Sequence, residues 1–237
     1  MNFYKSILLF LCILLPACST IAPRAPNPIN MNSRVVDDDS AAWRNCHFRI
    51  AWPEGAAPRW GVDLLVAHKI LGPILSRQAN EIYRWRFHRR SNRDEAGHQF
   101  SFVYYAGSAE AQTIISAIQQ SQWRQRLLEN EVLESAACET ADNMSRQDIG
   151  DGSDENWSES MQRHWPAYIM GVSNLWLGLI DDAIVSLQPD EHDLDKTLQA
   201  YDEAGRIVSL IWRNESQHAL LHHLNAVFGY EEMLIRF

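Results

Sequence analysis

The run IYRWRFHRR at residues 82–90, followed after a polar loop by HQFSFVYY at residues 98–105, decides how this chain folds. Side chains alternate faces along a strand. In the first run Tyr83, Trp85 and Phe87 therefore share one face, opposed to Arg84, Arg86, His88 and Arg90. In the second, His98, Phe100, Phe102 and Tyr104 oppose Gln99, Ser101, Val103 and Tyr105. The connecting SNRDEAG at 91–97 carries the Asn, Asp and Gly that turns favour, so the two runs read as a β-hairpin with one aromatic side.

Upstream, Phe48, Ile50 and Trp52 alternate with His47, Arg49 and Ala51, a third strand pattern closed by the loop PEGAAP at 53–58. Residues 61–79 are rich in Val, Leu and Ile and long enough for a helix, which Gly72-Pro73 should kink or divide. After the hairpin, Ala109, Ile114, Ile115 and Ile118 recur at helical spacing. The order β-α-β-β-α is the core of a ferredoxin-like α+β unit, with both helices on one face of an antiparallel sheet. The aromatic faces would meet those helices and leave Arg49, Arg84, Arg86, His88 and Arg90 together on the other face. An arginine-rich face suits an anionic ligand, because the guanidinium offers a planar fork of donors. The alternatives are that it is solvated, or that acidic helices further along fold back over it.

Those helices are expected from composition. Residues 122–139 begin as an Arg- and Glu-bearing helix, and 140–158 read as a polar loop. GDGSDE at 150–155 lacks the alternating ligands and closing Glu of a calcium loop. Residues 157–186 turn helical, Asp193 opens a further helix or pair of helices running to Phe228, and 233–237 could return as a strand. No internal repeat is present. The 237 residues are 46% hydrophobic and 22% charged, the balance of one sizeable globular domain with an extension. A net charge of −9 argues against nucleic acid as a partner. The charge is unevenly placed: residues 129–203 hold eighteen acids against three bases, whereas residues 19–128 hold nine acids against fourteen bases.

The first residues carry an address. Lys5 precedes an apolar run from Ile7 to Leu15, far short of the roughly twenty residues that span a bilayer, so residues 1–17 read as a signal peptide. Its end, Leu15-Pro16-Ala17-Cys18, resembles the lipobox of bacterial lipoproteins. The resemblance implies cleavage before Cys18, acylation of its sulfur and nitrogen, and attachment to a membrane, since several acyl chains anchor where one is marginal. Ser19 after the cysteine implies the outer membrane, with the domain facing the periplasm. Residues 18–45, with Pro23, Pro26, Pro28 and the acidic Asp37–Asp39, form a lipidated tether, and residues 46–237 a single domain, divided into a sheet unit (46–128) and a helical half (129–237).

Four further features invite chemical readings. Cys46 and Cys138 remain once the leader and Cys18 are set aside, and in an oxidising compartment they would either pair, closing a loop of about ninety residues worth roughly 4 kcal/mol, or stay as buried thiols. Glu215, His218 and His222 would project within about 60° of one another on a helix, a set that could hold zinc for a periplasmic hydrolase or else form a solvated polar face with Leu220, Leu221, Leu224, Val227 and Phe228 toward the core. No other cofactor is indicated. Ser173 in GVSNL has half of a nucleophile elbow, lacks its closing Gly and follows no strand, so it reads as helix packing. Nine Trp residues could furnish a sugar-stacking groove or simply the core.

One family likeness bears on the fold. The aromatic strand, Gly97-His98, second aromatic strand and following helix resemble the C-terminal elimination-type domain of lantibiotic dehydratases and thiopeptide-biosynthesis proteins over about residues 46–130, with Gln99 and Ser101 where those proteins are arginine-rich. The combined expectation is an envelope lipoprotein acting as a binding or assembly component for an envelope protein or an anionic ligand.

Overall fold

A computed structural model describes residues 38–231. The leader, Cys18, most of the tether and the tail at 233–237 lie outside the described residues. The hairpin forms from β2 (Arg84–Ser91) and β3 (His98–Ala106), antiparallel, with Trp85 opposite Tyr104 and Phe87 opposite Phe102. Its turn closes on Asp94, whose carboxylate accepts the amides of Ala96 and Gly97 at 3.0 and 3.2 Å, while Gly97 takes a φ of 61°. β1 (Ala42–Ile50) pairs antiparallel with the other side of β3. It begins earlier than the sequence reading put it: residues 42–45, assigned there to the tether, already belong to the sheet.

A fourth strand, β4 (Leu133–Cys138), pairs antiparallel with β1 and completes the order β2-β3-β1-β4, the ferredoxin-like arrangement. The sequence reading assigned no strand there. LESAAC has none of the β-branched or aromatic residues that strands favour, and the segment is held by its neighbours instead. Cys138 stands directly opposite Cys46 and is joined to it by a disulfide, and Arg124 donates to the edge carbonyl of Ala136 at 3.1 Å.

Two helices cover the aromatic face. In α1, Trp60–Leu65, a π-wound Val66–Leu71 and Gly72–Arg77 run on without a break. Pro73 thus neither divides nor ends the helix: the Gly72 amide reaches back five residues to the Ala67 carbonyl, and the wider turn makes room for a residue that cannot donate. α2 (Ser108–Gln119) lies beside it, followed by the short α3 (Gln122–Glu129). Phe48, Phe100 and Phe102 from the sheet, Leu64 and Leu71 from α1, and Ile114 and Ile118 from α2 are all at most 1% exposed. Each such side chain contributes about 1.5–3 kcal/mol by leaving water.

The helical half shares this core. α4 (Glu159–Leu187) turns back into α5 (Leu194–Ile211), which passes through a π-turn, Trp212–Ser216, into α6 (Gln217–Val227). Met170, Ile180 and Ile184 of α4 and Tyr201 and Val208 of α5 belong to the same buried cluster as the sheet's phenylalanines. By length and hydropathy α4 would suffice to cross a membrane, but its buried stripe packs on the sheet and α5. Ser173, on that stripe, accepts the amide of Phe87 at 3.1 Å and donates to the Ile169 carbonyl at 2.9 Å. It thereby satisfies a backbone donor of the edge strand β2 that no further strand meets. At Gly61 the backbone of α1 closes on α5 so tightly that a Cβ there would lie 2.7 Å from the Asp202 amide nitrogen.

Candidate functional site

The opposite face of the sheet is built in rows across three strands. Register places Arg84, Tyr105 and Trp43 in one row, then Arg86, Val103 and Asn45, then His88, Ser101 and His47, then Arg90, Gln99 and Arg49. The acidic helices do not fold over this face, contrary to one expectation: α4 and α5 lie on the aromatic side and along the β2 edge. Only the segment 140–153 crosses to it, at the first row. The Trp43 indole donates to the Ile149 carbonyl at 3.0 Å and the Tyr105 hydroxyl to that of Gln147 at 2.6 Å. Tyr83, expected on the aromatic face with Trp85, packs instead against Tyr105 in this small second cluster. Ile82 takes the core position, because the regular alternation begins only at Arg84.

The remaining rows form a polar groove of about 240 Å³ lined by Asn45, His47, Arg86, His88, Arg90, Gln99, Ser101 and Val103. Its cations differ in their partners. Arg49 pairs with Glu134 at 2.6 Å, Arg90 with Asp94 at 2.5 Å, and Arg146 with Glu139 at 2.6 Å. Arg84 donates to the Tyr83 carbonyl at 2.6 Å. Arg86 has no carboxylate among the described residues, and its Nε is buried without an acceptor. Asn45 Oδ1, in the same row, is buried without a donor. Burial pulls the Arg86 guanidinium below its ordinary value, and Arg146 adds to this. His88 is likewise held below the ordinary imidazole value, first by the surrounding protein and then by Arg86 and Arg90. The floor is neutral: Gln99 Nε2 bridges His47 Nδ1 at 2.7 Å and Ser101 Oγ at 3.1 Å, and burial lowers the His47 value too.

A second, larger concavity of about 1250 Å³ opens on the other side of the molecule, between α4 and the α5–α6 rod. Ile169, Val172 and Leu175 form one wall, Val208, Trp212 and Leu220 the other. At its floor Arg89 lies with its guanidinium carbon 4.8 Å from the Trp60 ring centre and 5.0 Å from that of Trp176. Arg89 is the one arginine of β2 on the aromatic side. It is held there by Asp63, fully buried in α1, which accepts Arg89 Nε at 2.8 Å and lies 3.2 Å from His98 Nε2. This Asp63–His98 pair is structural: the His98 side chain is 0% exposed and closed off by Trp52 and Trp60. The same holds for Tyr201, His68 and Asp181, linked at 2.6 and 3.1 Å, where the phenol is fully buried and joins α1, α4 and α5. Arg44 is buried as completely, its guanidinium held by the carbonyls of Ala42, Ala106 and Ala141.

The zinc expectation is corrected. Glu215 falls in the π-turn, which winds more loosely than an α-helix and moves it out of line with the histidines that follow. His218 and His222 stack with ring centres 5.4 Å apart, and among the described residues no group of three or more His, Cys, Asp or Glu converges on a metal position. The core face expected for Leu220, Leu221, Leu224, Val227 and Phe228 is corrected as well, since α6 has no buried residue.

No family model, curated protein or solved structure matches this chain.

Proposed function

We propose that this protein is an envelope lipoprotein, anchored through Cys18 to the periplasmic side of the outer membrane, that binds an oxyanion in the groove on the open face of its sheet. The lipobox-like Leu15-Pro16-Ala17-Cys18 supports the location. The groove supports the ligand class, and a single observation carries it: Arg86 is a half-buried cation with an unsatisfied Nε, placed among His88, Arg90 and Arg146, with only neutral groups beneath it. Like charges brought together and partly removed from water raise one another's cost. A carboxylate or phosphate offering two oxygens to the guanidinium fork relieves that cost and supplies the missing acceptor. His88 then gains a counter-charge, takes up a proton and adds to the hold on the ligand. Binding therefore strengthens as pH falls through the ordinary imidazole range near 6.5. His47, Glu139 and Arg146 face the same site and set its background, Glu139 being engaged by Arg146.

The test is calorimetric titration of the purified full-length chain with inorganic phosphate, with acetate, and with phosphatidylglycerol vesicles against phosphatidylcholine vesicles. Saturable binding that Arg86→Gln abolishes is the expected result, and for acetate, whose own charge is constant over the range, it is stronger at pH 6 than at pH 8. A response to phosphate or acetate assigns a free ligand, and one confined to anionic vesicles assigns a headgroup. Binding that Arg86→Gln leaves intact, or none with any probe, overturns the reading.

A further inference from the structure

We infer that two copies of this chain pair by exchanging α6, each copy seating that helix in the apolar cleft of the other. The inference is independent of the oxyanion groove, which lies on the opposite side of the sheet. α6 is eleven residues long and buries none of them; Leu221 is 40% exposed, Val227 81% and Phe228 67%. The helix cannot turn into its own cleft, because Trp212–Ser216 runs into it without a break and makes it the rigid continuation of one wall.

The cleft matches the helix in size and character. Ile184 of α4 and Leu198 and Tyr201 of α5 share one buried cluster, and Val172 and Val208 stand on facing walls of a space of about 1250 Å³. An eleven-residue helix is about 16 Å long and 11 Å across, a cylinder of roughly 1,500 Å³, so the cleft takes most of one. α6 carries no Asp, Glu, Lys or Arg, so seating it brings no fixed charge of its own into the cleft. Arg206, engaged by Glu203, and Arg213 stand in the cleft lining as polar groups able to stay wet at its edge.

The exchange closes on itself. When the seating is reciprocal, the two copies are related by a two-fold axis, so both use the same surface and no open chain of molecules grows. Half the girth of such a helix covers roughly 275 Å², and two helices in two clefts, counted on both sides, bury about 1,100 Å². That exceeds the roughly 1,000 Å² that a specific interface needs. The result is a four-helix bundle made of two α4–α5–α6 hairpins.

Two differently tagged full-length chains are produced together in one cell, one with Leu224→Cys and the other with Leu175→Cys, and oxidised in place. Exchange yields an adduct carrying both tags, above the background set by the parent chains, and Leu220→Glu in both removes it. Sedimentation of the unsubstituted protein at about 10 μM supplies the second measurement, and a dimer is expected. Absence of the mixed adduct, or a monomeric mass, overturns the inference; so does an adduct within one chain bearing both cysteines, which would put α6 in its own cleft.

Discussion

Breaking the bond between Cys46 and Cys138 tests how the edge of the sheet is held. The two cysteines are 92 residues apart and stand opposite each other on β1 and β4. Closing a loop of that length removes about 15.6 cal/mol/K from the unfolded chain, or about 4.6 kcal/mol at 25 °C, in the chain-entropy account of cross-links. Against a total stability of roughly 5–15 kcal/mol for such a domain this is a third or more. The double variant Cys46→Ala/Cys138→Ala should therefore lose about 4–5 kcal/mol in urea unfolding and melt about 9–18 °C lower. The loss should also be local. β4 has six residues of low strand propensity and a single strand neighbour, so its amides should exchange with solvent faster than those of β3 once the bond is gone. Equilibrium unfolding of oxidised, reduced and doubly substituted protein, with hydrogen exchange on each, measures both effects. A stability change below about 1 kcal/mol, or equal acceleration across all four strands, would refute the reasoning.

Ser173→Ala leaves the Phe87 amide on the β2 edge without its acceptor and should cost about 1–3 kcal/mol in urea unfolding, with more aggregation by light scattering as the edge opens; unchanged values of both would remove the proposed seal. Gly152→Ala puts a Cβ 2.5 Å from Trp43 Cε2, so the indole must move and give up its bond to Ile149. A loss of about 1–3 kcal/mol with an altered near-ultraviolet dichroism is expected, and an unaltered aromatic spectrum counts against that close contact. His47, His68 and His88 are all held below the ordinary imidazole value, chiefly by burial. The unfolded chain then binds more protons than the folded one, so their contribution is complete above about pH 6.5 and is lost as pH falls toward their folded values. Urea midpoints should drop between pH 7.5 and 5.5, and less so in His68→Gln; a midpoint independent of pH across that window would contradict the assignment.

Alternation made the sheet legible. Once Trp85, Phe87, Phe100 and Phe102 are put on one side, the rows holding Arg86, His88 and Arg90 follow without further information. The same parity puts Arg89 on the aromatic side, where a cation needs an acid, and the only acid inside the apolar run 61–66 is Asp63. The pair is legible as a buried ion bridge between α1 and the hairpin only when both parities are set side by side, since an isolated Asp in a helical run does not name its partner. β4 was not readable, since its pairing depends on β1 and the disulfide more than on its own residues. The cleft was not readable either. It lies between helices far apart in the chain, and the close approach of α5 to α1 at Gly61 is a distance that periodicity does not encode.

The helical half is a part of the sheet's stability more than a second module beside it. β2 is an edge strand whose free backbone groups could recruit another chain, and its four arginines and its neighbours both work against that. Here α4 runs along it, Ser173 takes a backbone amide, and Trp176 packs against both Phe87 and Phe100. β4, at the other edge, is short, carries Glu134 and is met by Arg124. Both edges are thereby made poorer templates for pairing than the strands alone would be. An association that used strand addition at β2 would have to displace α4 and expose Met170, Ile180 and Ile184, at about 1.5–3 kcal/mol for each side chain. Contacts through the groove or the cleft require no such unpacking.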